Sequence, residues 1–224
     1  MFLSLLAHAP ALAVAWLAAI VTALTVHEFS HALVAKWLGD RTGEREGRLS
    51  LNPLAHLDLA GFLPLLLLGF GWAKPVPYNP YNLRHPKWDS VAVGLAGPGS
   101  NLLLAVLAAG AMRLLLPAGI GASSTLLVAF LFFLVLTDLF LLFFNLIPVH
   151  PLDGSKLFFA LFDAPRWAGL RERVASLGPN VLLVLVLLSF VGINVFFFVS
   201  LPAFASCDAL LGRSCAGLYG FLLS

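Results

Sequence analysis

Residues 9–31 read APALAVAWLAAIVTALTVHEFSH. From Ala9 to Val26 no residue carries a charge. A run of about 18 apolar residues is long enough to cross the hydrocarbon core of a bilayer as a helix. Three ionisable side chains then follow within five positions: His27, Glu28 and His31. If the helix continues through them, His27 and His31 stand one turn apart on the same face. The reading that decides the fold is therefore a membrane helix whose inner end carries a polar motif. This first long helix is expected from about Pro10 to Leu38, with Gly39 ending it.

The whole chain supports that reading. Of its 224 residues, 60% are hydrophobic and 11% charged, against roughly 25% charged in soluble domains. Further apolar runs occupy Val91–Leu116, Leu126–Ile147 and Val181–Leu201. The first 26 residues lack the positive start of a secretory signal and lead into a polar motif rather than a cleavage site. They read as a retained helix. The cations are unevenly placed. Residues 1–35 contain no Lys or Arg. Eleven of the thirteen cations fall in three segments: Lys36–Arg48, Lys74–Lys87 and Lys156–Arg173. One topology puts all three on the same side, which the positive-inside rule makes cytoplasmic. The N-terminus, the loop Pro117–Thr125 and the C-terminal tail would then face outward. Cys207 and Cys215 lie in that tail, either as a disulfide in an oxidising compartment or as two unpaired thiols.

The expected fold is an all-α polytopic membrane protein of about four long transmembrane helices. To these are added a short or re-entrant segment and a small β element at the cytoplasmic surface. The second and third long helices are expected at about Asp89–Leu116 and Leu126–Ile147, a short helix near Ser155, and the last long helix at about Pro179–Leu201. Leu59–Trp72 is apolar but too short for a full span, which suits a re-entrant hairpin or a short tilted helix. Leu49–Leu59 is a candidate strand. Ala73–Pro86, with four prolines, is expected to be extended or turn-rich at a sheet edge. A single domain is expected over residues 1–224, with its catalytic core at about 10–163 and a final helix and interfacial tail at about 179–224.

The HExxH pattern at His27–His31 has a specific chemistry. Two imidazoles at i and i+4 can bind one Zn²⁺, with the Glu between them beside the metal as a general base. Ionisable side chains within an apolar helix are functional candidates in their own right. A catalytic zinc takes three protein ligands and keeps one position open. The third candidate is Asp153, in the segment Asn145-Leu-Ile-Pro-Val-His-Pro-Leu-Asp-Gly154. The plainer reading of Asp153 is an N-cap for the helix near Ser155.

The two motifs, in this order, resemble the site-2 protease family of intramembrane zinc metalloproteases, and in particular its small bacterial members without PDZ or CBS domains. Leu51–Asp58, Gly71–Pro80 and Ala96–Asn101 extend the resemblance, which spans about residues 20–160. It implies one zinc ion held by His27, His31 and Asp153, with Glu28 as base and Asn145 binding the substrate backbone or a developing oxyanion. One departure stands out. The small members more often have Pro-Pro-Leu-Asp-Gly where this chain has His150-Pro-Leu-Asp-Gly, so His150 is either a supporting group behind the ligands or an additional ligand.

Other buried-looking polar residues remain open. Asp138 is read equally as part of a water path to the metal or as a bond to a neighbouring helix. Asn101 is read as bonding a facing backbone rather than as catalytic, and His56 either as contacting the site from the surface loop or as orienting its own loop. The reaction so implied is hydrolysis of peptide bonds in or near transmembrane segments. Its partners would be single-span membrane proteins or peptides and the lipid bilayer, with no nucleic acid. The expected location is the inner membrane of the cell, with the site toward the cytoplasm. A helical substrate must unwind before attack, and the expected strand edge would hold it by β-augmentation. The rival readings are a membrane metal transporter, which would show repeated halves and several ligand pairs, and an inactive protease-like scaffold. Neither the substrate nor the oligomeric state is legible.

Overall fold

The computed structural model describes residues 2–68, 70–115 and 125–223. Apart from Thr125, the expected outer loop Pro117–Thr125 lies outside the described residues. The helices are α1 Phe2–His8, α2 Pro10–Trp37, α3 Thr42–Arg45, α4 Leu59–Leu68, α5 Pro86–Leu115, α6 Thr125–Asn145, α7 Gly154–Leu161, α8 Ala168–Phe190, α9 Phe197–Leu211 and α10 Cys215–Leu223. Four stretches are helical, long and apolar enough to cross a membrane: Pro10–Trp37, Pro86–Leu115, Leu126–Asn145 and Pro165–Phe190. The chain is a multi-pass membrane protein.

Side-chain size explains how the central helices pack. α2 presents Ala15, Ala19 and Ala23 to the core, and α5 presents Ala105, Ala108 and Ala109. Small residues let backbones approach closely where lipid offers no hydrophobic drive for association. α6 fills the space between with Phe132, Phe133, Val135 and Leu139. Two hydroxyls within α2 are satisfied locally: Thr25 Oγ1 donates to Val21 O at 2.6 Å and Ser30 Oγ to Val26 O at 2.7 Å. α2 stops at Gly39, whose φ of +114° suits glycine and whose absent Cβ would stand 3.0 Å from Asn82 O.

The expected β element is not formed: among the described residues no strand occurs. Within 49–59, Pro53–Ala55 is a 3-10 turn capped by Asn52, whose Oδ1 accepts from Leu54 N at 3.1 Å. The segment 73–79 has no regular secondary structure and forms no ladder. One backbone bond, Lys74 N to His56 O at 2.8 Å, joins the two stretches. Pro53, Pro75 and Pro77 each lack the N–H that a ladder needs. The Arg48 guanidinium takes over the bridging, donating to Ala55 O at 2.8 Å and to Lys74 O.

The last long helix also differs. It runs over Ala168–Phe190 and breaks before Phe197, with Gly192 at φ +89°. The tail is not confined to the surface. In α9, Val199, Ala203, Cys207 and Leu211 recur every four residues and are buried. Phe204 meets Phe140 of α6 edge to face, with ring centroids 5.7 Å apart. Cys207 and Cys215 form a disulfide. It lies toward the C-terminal end of α5, where Arg113 Nη2 donates to Ala209 O at 3.3 Å.

Candidate metal centre

His27, Glu28 and His31 lie on the buried face of α2, 5%, 9% and 7% exposed. The two histidine Nδ1 atoms point away from each other into α5. Val93 O, 2.6 Å from His31 Nδ1, can only accept, so that nitrogen carries the proton. Asn101 Oδ1 stands 2.6 Å from His27 Nδ1. Its amide orientation follows from Nδ2, which donates to Asp138 Oδ1 at 2.6 Å. His27 Nδ1 therefore also carries a proton. In the neutral rings both Nε2 atoms are bare lone pairs, and they face each other at 3.0 Å.

Asp153 completes the cluster. Its Oδ2 lies 3.2 Å from each Nε2. The N-cap reading fails, since its side chain makes no capping bond to α7. Oδ1 accepts instead from Lys156 Nζ at 2.9 Å. Burial opposes the charge of this carboxyl. Lys156, whose Nζ donates to Oδ1, favours the charged form. Among the described residues, the His, Cys, Asp and Glu side chains close enough to share an ion are His27, His31 and Asp153, their ligating atoms within 4.8 Å of one another. Three lone-pair donors meeting at about 3 Å repel one another unless a cation lies between them. The spacing suits zinc: bonds of about 2.05 Å in a tetrahedron set donors about 3.3 Å apart.

Two glycines make room for this meeting. A Cβ on Gly97 would lie 2.5 Å from His27 Cε1 and from His31 Nε2. One on Gly154 would lie 2.4 Å from Leu146 O, where the chain turns back to deliver Asp153. Both are close approaches that only glycine permits.

The 73–79 segment reaches the same end of α2, where Val76 N donates to Glu28 Oε2 at 3.1 Å. Asp40, 1% exposed, holds that segment in place. It accepts from Asn79 N at 2.7 Å, Asn82 Nδ2 at 2.9 Å, Thr42 Oγ1 at 2.6 Å and Thr42 N at 3.1 Å. Burial pushes the Asp40 carboxyl up, but these four donors outweigh it and leave its pKa lowered.

Asn145 ends α6 with Nδ2 donating to Leu141 O at 3.1 Å, so its amide is engaged by its own helix. His150 lies beside Phe159, with ring centroids 6.4 Å apart, and is not part of the cluster. His56 turns Nε2 to Ser50 O at 2.7 Å, within its loop. Asp138 bonds a neighbouring helix through Asn101, and Asn101 bonds a histidine rather than a backbone. Of the two expectations for Asp138 the bond to a neighbouring helix is the one formed, while Asn101, with Val93, Gly97, Lys156 and Asp40, is a site residue that sequence reasoning passed over or misplaced. For Asn101 and Asp138 the signal was present, since both are polar residues within apolar helices.

Comparison with known proteins points the same way. The family model of peptidase family M50 matches residues 115–189, which include the Asn145–Gly154 turn but not His27–His31. The Bacillus subtilis protein named "Putative zinc metalloprotease YwhC" is 40% identical over 141 residues, 62% of this chain and 64% of that protein. "Putative zinc metalloprotease Rip2" of Mycolicibacterium smegmatis is 40% identical over 137 residues, 58% of this chain and 51% of that protein. Its Mycobacterium tuberculosis namesake is 39% identical over 140 residues, 60% and 52%. The chain thus spans between half and two thirds of the length of these relatives. No solved structure matches. The motifs, the matched model and these relatives agree: the chain is similar to peptidase family M50 and to relatives named putative zinc metalloproteases.

Proposed function

We propose that the chain is an intramembrane zinc endopeptidase that cleaves peptide bonds in or near transmembrane segments of other membrane proteins. The observation that carries this reading is the meeting of His27 Nε2, His31 Nε2 and Asp153 Oδ2 within about 3 Å of one another. These three would hold one zinc ion. Zinc bound there supplies a Lewis acid that polarises a peptide carbonyl and makes water acidic enough to be deprotonated near neutral pH.

Glu28 is the proton carrier. Its carboxylate takes a proton from the attacking water and returns it to the leaving amine. The Val76 N–H on Oε2 fixes the plane of that carboxylate. Asn145 is assigned to the substrate side. Its Nδ2 would exchange Leu141 O for the oxygen of the scissile peptide, where an amide donor stabilises developing negative charge. The substrates are single-span membrane proteins or peptides reached through the bilayer. In the proposed topology the site faces the cytoplasm, within the inner membrane. The cation distribution supports it. So does the disulfide Cys207–Cys215, which suits an oxidising compartment and lies toward the other end of α5.

The test uses the purified chain of residues 1–224 in detergent, incubated with a panel of single-span membrane peptides with and without a zinc chelator. Cleavage that stops on chelation and resumes with added zinc is expected. Zinc flux in liposomes without cleavage would overturn the proposal.

A further inference from the structure

His27 and His31 are held from behind by different means. His31 donates to a main-chain carbonyl, Val93 O. His27 depends on two side chains in series, Asn101 and then Asp138, on two different helices. We propose that Asn101 and Asp138 are positioning residues for the metal centre: Asp138 orients the Asn101 amide, and that amide fixes His27 with its proton on Nδ1 and its Nε2 lone pair on the site. This rests on the reading of His27 as a metal ligand.

An Asn amide has two ends that differ by a proton count, and it can flip. With Oδ1 toward His27, it accepts Nδ1–H and leaves Nε2 free to bind a cation. With Nδ2 toward His27, it would require Nδ1 to be the lone pair and Nε2 to carry the proton, which removes the ligand. Asp138 decides between the two because its Oδ1 is the acceptor that the Asn101 amide N–H₂ meets. It therefore draws Nδ2 to itself, at 2.6 Å, and turns Oδ1 to the histidine.

The environment argues for this role. Asn101 and Asp138 are both 0% exposed, among apolar residues of α5 and α6. A carboxylate there is costly, and an apolar pair of similar size would pack the helices at less cost. Among the described residues Asp138 Oδ2 has no hydrogen-bond partner and Oδ1 bonds Asn101 Nδ2, so the burial of this carboxyl serves the amide and, through it, the imidazole. Groups that bond a ligating histidine from behind are a general means of fixing its tautomer and orientation.

The experiment measures zinc affinity by chelator competition and the visible spectrum of the cobalt-substituted chain of residues 1–224. The variants are Asn101→Leu, Asp138→Leu, Asn101→Asp and the exchanged pair Asn101→Asp with Asp138→Asn. The two leucine variants are expected to bind zinc about 10–100-fold more weakly, with an altered cobalt spectrum and an unchanged melting temperature of the metal-free protein. Asn101→Asp alone sets two carboxylates against each other and should also lose affinity. The exchanged pair restores the order of donors and acceptors, since the carboxylate at 101 accepts from both His27 Nδ1 and the amide at 138. It is expected to recover most of the loss. Wild-type zinc affinity in a folded Asn101→Leu would overturn the proposal. If the leucine variants do not fold, an exchanged pair that binds no tighter than Asn101→Asp overturns it instead. His27→Ala separates the two readings. Unchanged zinc binding in His27→Ala removes the metal centre itself. Loss in His27→Ala with none in Asn101→Leu removes only the positioning role.

Discussion

Val76 donates its backbone N–H to Oε2 of Glu28 at 3.1 Å, across 48 residues of sequence. A loop without secondary structure thereby sets the orientation of the carboxylate assigned as base. Glutamine at position 28 can still accept that bond but cannot carry the proton. Glu28→Gln is therefore expected to keep zinc and fold while cleavage falls by at least about 100-fold. Metal content and peptide turnover, measured on the same preparation, check this; undiminished turnover would remove Glu28 from the mechanism.

Gly97 faces both imidazoles, and Gly99, two residues on, faces open space. Gly97→Ala would drive a methyl group to 2.5 Å from each ring. It is expected to reduce zinc affinity by an order of magnitude or more, in the range seen when support of a ligand is lost. Gly99→Ala should leave it unchanged. Equal affinities in the two variants would show that the close approach at Gly97 is not needed for binding.

Asp40 links the end of α2 to the segment that reaches Glu28. Its pKa is lowered by folding. The stabilisation is thus fully present above the unfolded value of about 3.9 and is lost as pH falls from there through the folded value. Asp40→Asn should lower stability at pH 7 by on the order of 2 kcal/mol, because buried N–H donors lose a charged acceptor. The difference from wild type should shrink below about pH 4. Thermal melts in detergent at both pH values measure it, and a difference independent of pH would contradict the assignment.

The topology can be read from a single labelling site. Arg45 is exposed just beyond α2. In a chain with Cys207→Ser and Cys215→Ser, Arg45→Cys should react with a membrane-impermeant maleimide in inverted vesicles and not in intact cells. The reverse pattern would place the metal centre on the outer side.

That His27 and His31 share one buried face was legible in the sequence for a definite reason. A helix repeats every 3.6 residues, so an i, i+4 pair fixes a shared face without any tertiary contact. Charged groups in an apolar run also announce themselves by their cost. The three central spans were legible within a few residues, since bilayer thickness sets their length. The β element was misread because extended, proline-rich sequence looks the same whether it pairs or not. Only the fold revealed that Arg48 and Asp40 anchor it with side chains in place of a ladder. The start of α9 was hidden in the same way, since its four-residue stripe becomes visible only once the break at Gly192 is known. Asn101 and Asp138 lie 74 and 111 residues from His27 along the chain. Their types hinted at importance, but no local spacing connects them to one histidine. Sequence by itself determined which atoms could bind a metal. Tertiary structure decided which nitrogen of each ring faces it, because a tautomer is set by the partner on the ring's far side, and that partner comes from another helix.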